Sequence, residues 1–220
     1  MLCPRDRGQQ AVGILFGSAI GLTVILHPAA SVAVWLSVFL IILFSHALWS
    51  GGSFGERVNR LGWTLLGGFY IGFLVPRMAL MFELKDGRAW VAFVLLVIMA
   101  GDTSAYFIGR RFGKRKLAPG LSPGKTVEGS IAYVIGSILI GILSAALMAL
   151  PVASLEVAML AFIMSLLGQI GDLFESFIKR AFAVKNSGEL LPGHGGVLDR
   201  LDSLIFPVVF ANFYLKVIHS

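Results

Sequence analysis

The chain has 220 residues, 57% of them hydrophobic and 14% charged, with a formal charge of +6. Soluble domains run at roughly 45–50% apolar and about 25% charged residues, so the composition excludes an ordinary soluble domain. The single Cys3 excludes an internal disulfide. No basic segment stands free of an apolar run, which excludes nucleic acid as a partner.

Several apolar runs approach or exceed the ~20 residues that cross ~30 Å of hydrocarbon. They show no period-two alternation, so helices are expected instead of a barrel. Seven spans are read at 10–27, 31–49, 61–82, 89–110, 127–150, 155–179 and 201–218. The expected fold class is an all-α polytopic membrane protein with about seven transmembrane helices and cytoplasmic catalytic loops. The first run follows Arg5 and Arg7 and ends at His27-Pro28-Ala29-Ala30; with six more behind it, it reads as a retained helix and not as a signal peptide. With a cytoplasmic N-terminus, fourteen of the 18 Lys and Arg residues face inward, and Arg77, Lys85, Arg88 and Lys216 face outward. That positive-inside bias sets the orientation.

Residues 1–100 read as a scaffold of transmembrane helices. Gly62, Gly67, Gly68 and Gly72 suit close helix packing in lipid. His46 is expected as a packed polar residue, and Arg77 as a side chain snorkelling to the outer face. The loop from Glu83 to Arg88 reads as an ordinary solvated turn. Residues 101–220 are the expected catalytic region, with cytoplasmic loops at 110–126 and 180–200.

Asp102 opens that region from within a span, where a carboxylate costs about 2.5–3.5 kcal/mol on insertion scales. Ala105, Tyr106 and Gly109 continue its face, which points Asp102 into the bundle. A basic loop, Arg110 to Lys116, leads to Ser122-Pro123-Gly124-Lys125-Thr126-Val127-Glu128-Gly129. Its Gly-Lys-Thr is not a P-loop, because Pro119 stands where the motif needs glycine. Ser122-Pro123 is expected as a turn leading into a helix. Glu128 suits the first turn, and Lys125 with backbone N–H groups could hold an anion there.

On the sixth span, Gly168, Gly171, Asp172, Glu175, Ser176 and Lys179 fall on one small-and-polar stripe. Asp172 and Glu175 are one turn apart and repel unless a cation intervenes; an ion pair with Lys179 or Arg180 is the plainer account. Asp199 and Asp202 repeat the spacing at the start of the last span, where acidic residues also favour a helix N-terminus. Two such pairs, joined by a Gly-rich loop with His194, suit a hard cation such as Mg²⁺ and do not suit zinc. Arg110, Arg111, Lys114, Lys125, Lys179, Arg180, Lys185 and Arg200 supply counter-charge for a polyphosphate.

These residues also resemble a known family. Ser176, Lys179-Arg180, Lys185, Pro192, His194-Gly195-Gly196 and Asp199-Arg200-x-Asp202 are similar to the signature of phosphatidate cytidylyltransferases (CDP-diacylglycerol synthases). Gly101 to Tyr106, Ser122 to Gly129 and Gly171 to Ser176 extend the likeness over most of residues 60–218. The resemblance implies transfer of CMP from CTP to phosphatidate, with release of pyrophosphate, by an integral protein of the bacterial inner membrane, and a homodimer among membrane lipid. It implies Mg²⁺ and a monovalent cation such as K⁺. Asp172 and Asp199 would be the principal metal ligands, supported by Asp202 and Glu175. Lys179, Arg180 and His194 join the catalytic set. Asp102, Ser122, Lys125, Glu128, Lys185, Gly195, Gly196 and Arg200 would contact substrate.

Two departures stand out. Asn186 replaces the family's Asp after Lys185, and the family pattern implies about two further spans ahead of residue 1. Competing readings are a CTP-dependent enzyme acting on a polyprenol or another lipid phosphate, an ion-coupled transporter using Asp102, Asp172 and Glu175, and a non-catalytic paralogue.

Overall fold

A computed structural model describes residues 7–26, 31–184, 187, 196 and 198–218. The chain forms two compact units, Met1–Glu83 and Leu84–Ser220.

In the first unit, α1 (Arg7–Leu26) and α2 (Ser31–Trp49) pack with a helical stretch made of α3 (Phe54–Gly67), a π-helical segment (Gly68–Leu74) and α4 (Pro76–Met81). A capping box starts α3: the Ser53 hydroxyl accepts from the Glu56 N–H, and Glu56 Oε2 accepts from the Ser53 N–H at 3.0 Å. The π segment lies just before Pro76. Proline has no N–H for the carbonyl four residues back and crowds it, and widening the preceding turn relieves that conflict. Gly17 and Gly21 let α1 pass close over this segment, where a side chain at Gly72 would strike the Gly17 carbonyl.

Phe16, Ile20, Val24, Leu43 and Leu80 form the core of this unit. Arg57 donates to the Leu48 carbonyl at 2.9 Å and Arg60 to that of Gly51, satisfying acceptors at the end of α2. Arg77 lies over the Phe73 ring, 4.7 Å from its centroid. His46 is exposed, not packed as expected: the end of α2 runs past the core, and Leu48 and Trp49 are exposed with it.

The second unit contains α5 (Gly87–Phe112), a hairpin of β1 (Lys116–Ala118) and β2 (Ser122–Thr126), then α6 (Val127–Leu147), α7 (Ser154–Ala181) and α8 (Leu198–Ile218). Its core includes Trp90, Phe93, Val97, Met164, Val208 and Ala211. The Trp90 ring meets that of Tyr214 on α8 at 5.8 Å. Small residues set the helix crossings. Ser137 donates to the Val97 carbonyl at 2.9 Å, and a Cβ on Gly141 would lie 2.8 Å from that of Ala161. Inside α8, Pro207 leaves the Ser203 carbonyl without its usual i+4 donor; Gly168 passes that oxygen, where a Cβ would come within 3.2 Å.

Phe54–Met81, Gly87–Phe112, Val127–Leu147 and Ser154–Ala181 are long and apolar enough to cross a membrane; Ala11–Leu26 and Ala33–Trp49 are shorter apolar helices. The protein is therefore a helical integral membrane protein. The two-stranded hairpin is the one departure from all-helical structure among the described residues. It also corrects the expected turn at Ser122-Pro123. Residues 122–126 are strand, with Thr126 paired to Lys116 and Ser122 to Ala118, and the helix starts only at Val127. The extended backbone of Thr126 is its N-cap, its hydroxyl accepting from the Gly129 N–H at 3.1 Å.

Candidate active site

Four helices and the hairpin bring the charged residues together. The first determinant is the approach of α7 to α8. A side chain at Gly171 would collide with the Asp202 carbonyl oxygen, so glycine there lets the helices meet at the level of both carboxylate pairs. Asp172 and Glu175 on α7 thus come to face Asp199 and Asp202 on α8.

Lysines bridge these groups. Lys125 Nζ, from β2, lies 2.5 Å from Asp172 Oδ2. Lys179 pairs with Glu175 one turn back and with Asp199 Oδ1 at 3.0 Å. Glu175 is 1% exposed, and a buried carboxylate without a counter-charge costs several kcal/mol. The plain ion-pair account therefore holds for Glu175, whereas Asp172 takes its partner from the hairpin.

Asp199 lies ahead of the expected span at 201–218. Its Oδ2 accepts from the N–H groups of Gly196 at 2.8 Å and Ser187 at 3.0 Å. Burial works against its ionisation, but hydrogen bonds with Glu175, Gly196, Lys179 and Ser187 outweigh that and hold the carboxyl well below the usual carboxylate range.

The hairpin is fixed at both ends. Glu128 accepts from the backbone N–H groups of Lys114 at 3.1 Å and Arg115 at 3.3 Å, and Val127 N–H donates to the Arg115 carbonyl. At the tip, Arg180 Nε donates to the Leu121 carbonyl at 3.3 Å. Glu128 and Arg180, both read as site residues, thus hold the strand that delivers Lys125. Replacing Glu128 with Ala is expected to speed hydrogen exchange at the Lys114 and Arg115 amides about tenfold, with Glu128→Gln intermediate; exchange mass spectrometry over residues 113–126 checks it.

A cavity of about 270 Å³ lies under the hairpin, between α5, α6 and α7. Asp102, Ala105 and Tyr106 line it from α5, as their shared face required, while Lys125 and Asp172 form its charged edge. Ser130 donates to Gln169 Oε1 across it. Tyr133 borders it too, its ring slotted so that a Cβ on Gly101 would strike it and a Cβ on Gly168 would reach the hydroxyl at 2.7 Å. Sequence reasoning missed Ser130, Tyr133 and Gln169. The signal was available: Thr126, Gly129, Ser130, Tyr133 and Ser137 run as a small-and-polar stripe through an apolar helix.

The structure brings together Asp172, Glu175, Lys179, Asp199, Asp202, Lys125 and Gly196, with Asp102 on the adjoining cavity wall. Ser122 sits at the start of β2, and Arg200 in the first turn of α8. Lys185, Asn186, Pro192, His194 and Gly195 lie outside the described residues. The four carboxylates make an all-oxygen donor set that fits a hard divalent cation. Among the described residues no three His, Cys, Asp or Glu side chains already converge as a metal site. Lys125 pairs with Asp172, and Lys179 with Glu175 and Asp199.

A helical membrane protein with clustered carboxylates and lysines beside a cavity is equipped to handle a phosphorylated substrate. The profile of the cytidylyltransferase family matches residues 5–218. The chain is 37% identical over 158 residues to the phosphatidate cytidylyltransferase of Bacillus subtilis, covering 71% of this chain and 59% of that protein. It is 38% identical over 202 residues to the Brucella abortus protein of the same name, covering 90% and 72%. Against that of Staphylococcus saprophyticus it is 34% identical over 206 residues, covering 90% and 77%. The chain belongs to the cytidylyltransferase family, a family of nucleotidyltransferase enzymes.

Proposed function

We propose that this protein transfers the cytidylyl group of CTP to phosphatidate, forming CDP-diacylglycerol and pyrophosphate in phospholipid biosynthesis. The observation that carries this reading is the meeting of Asp172 and Glu175 with Asp199 and Asp202, with Lys125 on Asp172 and Lys179 on Glu175 and Asp199 as cations that a phosphate can engage. Residues 101–220 form the catalytic region. Seven helices cross the bacterial inner membrane, with loops 110–126 and 180–200 on the cytoplasmic side, and two copies form a homodimer.

In the reaction a phosphatidate oxygen attacks the α-phosphorus of CTP. The new P–O bond forms as the bond to the β-phosphate oxygen breaks, and pyrophosphate leaves with that electron pair. A phosphate monoester is already largely ionised near neutral pH, so no strong general base is needed. Lys125, Lys179, Arg180, Lys185 and Arg200 hold the phosphates, and His194, Gly195 and Gly196 join them in contacting substrate. Ser122 and Glu128 act through the hairpin. Asp172 and Asp199, with Glu175 and Asp202 in support, would hold Mg²⁺ and a monovalent cation such as K⁺. When bound there, the divalent ion would supply neutralisation of the charge that develops in the transfer. Positioning and electrostatics carry most of the acceleration.

The test is pyrophosphate release by detergent-purified protein. Release should require CTP, phosphatidate and Mg²⁺ together. Release without phosphatidate, or none from folded protein, overturns the reading.

A further inference from the structure

Beyond its edge at Lys125 and Asp172, the cavity is not used by the phosphate chemistry, yet its polar lining is selective. Asp102 contributes a carboxylate, an acceptor when ionised. Tyr133 is 4% exposed, and its hydroxyl has no hydrogen-bond partner among the described residues. Buried hydroxyls are rarely left so, and such a group points to a ligand. Ser130 and Gln169 are already engaged with each other, and Gln169 also donates to the Ser165 carbonyl at 3.3 Å. The cavity therefore offers a carboxylate that already bonds the Ser203 side chain but has further lone pairs to give, and a buried Tyr133 hydroxyl without a partner among the described residues, set among Ala105, Leu117 and Gly129.

Both substrates of the proposed reaction carry a phosphate that Lys125 could hold at the cavity edge. Only one has a remainder that suits the walls. The glyceryl diester of phosphatidate has acceptors but no donor, and would give Asp102 nothing beyond the bond it already has from Ser203. A cytosine ring has an exocyclic amine that donates beside a ring nitrogen and carbonyl that accept. Its flat, largely apolar body suits a slot of this size. Ribose, hydroxylated on every side, would need more polar lining than the cavity provides.

We infer that the cavity between α5, α6 and α7 is the base-selecting subsite, in which Asp102 accepts from the cytosine amine and the Tyr133 hydroxyl donates to the adjoining ring acceptor. The inference rests on the cytidylyl-transfer reading and adds to it the residues that distinguish CTP from UTP. Uracil presents a carbonyl where cytosine has the amine, and that carbonyl would face Asp102 acceptor to acceptor.

The experiment compares kcat/KM for CTP, UTP and dCTP in the full chain and in Asp102→Asn and Tyr133→Phe, with phosphatidate saturating. The wild type should prefer CTP to UTP. Asparagine can donate to the uracil carbonyl, so Asp102→Asn should narrow the CTP-to-UTP ratio on the order of tenfold and leave the CTP-to-dCTP ratio unchanged. Tyr133→Phe keeps the ring that fills the slot; it should raise KM for CTP several-fold with kcat largely retained. For any inactive variant, competition of UTP against labelled CTP at equilibrium supplies the same ratio. An unchanged CTP-to-UTP ratio in Asp102→Asn, a shift confined to dCTP, or an effect confined to KM for phosphatidate overturns the assignment. Wild-type protein that neither binds nor turns over CTP would instead remove the underlying function.

Discussion

Asp199→Asn is expected to lower turnover about 10²–10³-fold while leaving the protein folded. Asp199 is the hub of the charged cluster: it binds the Lys179 ammonium and accepts from the backbone of Gly196 and Ser187. The amide has nearly the same shape and can still accept from one N–H, so the local backbone has little reason to rearrange. What disappears is the negative charge, which both the lysine and any cation in the site require. Losses of that size follow removal of one preorganised charge-stabilising group from an active site. Pyrophosphate release measures the loss, and thermal unfolding in the same detergent shows whether the fold persists. A folded variant retaining more than a tenth of wild-type turnover would take Asp199 out of the reaction. Asp172→Asn should behave alike, since it removes the partner of Lys125.

The second large effect comes from a residue with no functional group. Gly171→Ala places a methyl group against the Asp202 carbonyl oxygen, backbone that cannot rotate aside. The helices must separate, and overpacking of this kind costs about 1–3 kcal/mol. The functional cost is larger in proportion, because a shift of ~1 Å between reacting groups can lower a rate about 10²-fold. Gly62→Ala is the matched control, since an added Cβ there meets nothing within 4 Å. Turnover should fall steeply in the first variant and stay unchanged in the second. Equal turnover in both would mean that the α7–α8 spacing does not set the site geometry.

Much of this arrangement is legible in the chain itself, for identifiable reasons. Asp172 with Glu175, and Asp199 with Asp202, recur at a step that places each pair on one helical face. Gly168 and Gly171 continue the first face, so the close approach of another helix could be anticipated. What was hidden depends on contacts distant in sequence. Nothing local says that Lys125, not Lys179 or Arg180, pairs with Asp172. The strand from Ser122 to Thr126 carries Pro123 and Gly124, residues that local propensity assigns to turns. Pairing with Lys116–Ala118 and the clamp of Glu128 on two backbone amides override that preference. Glu128 could equally have capped its own helix. Tyr133 reads as one more aromatic residue in a span until the glycines on either side of its ring are seen together.

That slot also has an evolutionary reading. Gly101 and Gly168 belong to different helices, yet both are confined by the same tyrosine. A side chain at either position is compatible with the fold only if residue 133 shrinks in compensation. The three sites should therefore drift as a set: relatives that keep tyrosine at 133 keep both glycines, and those that gain bulk at 101 or 168 carry a smaller residue at 133. An aligned set of sequences with bulk at all three positions would show that this packing is particular to one chain.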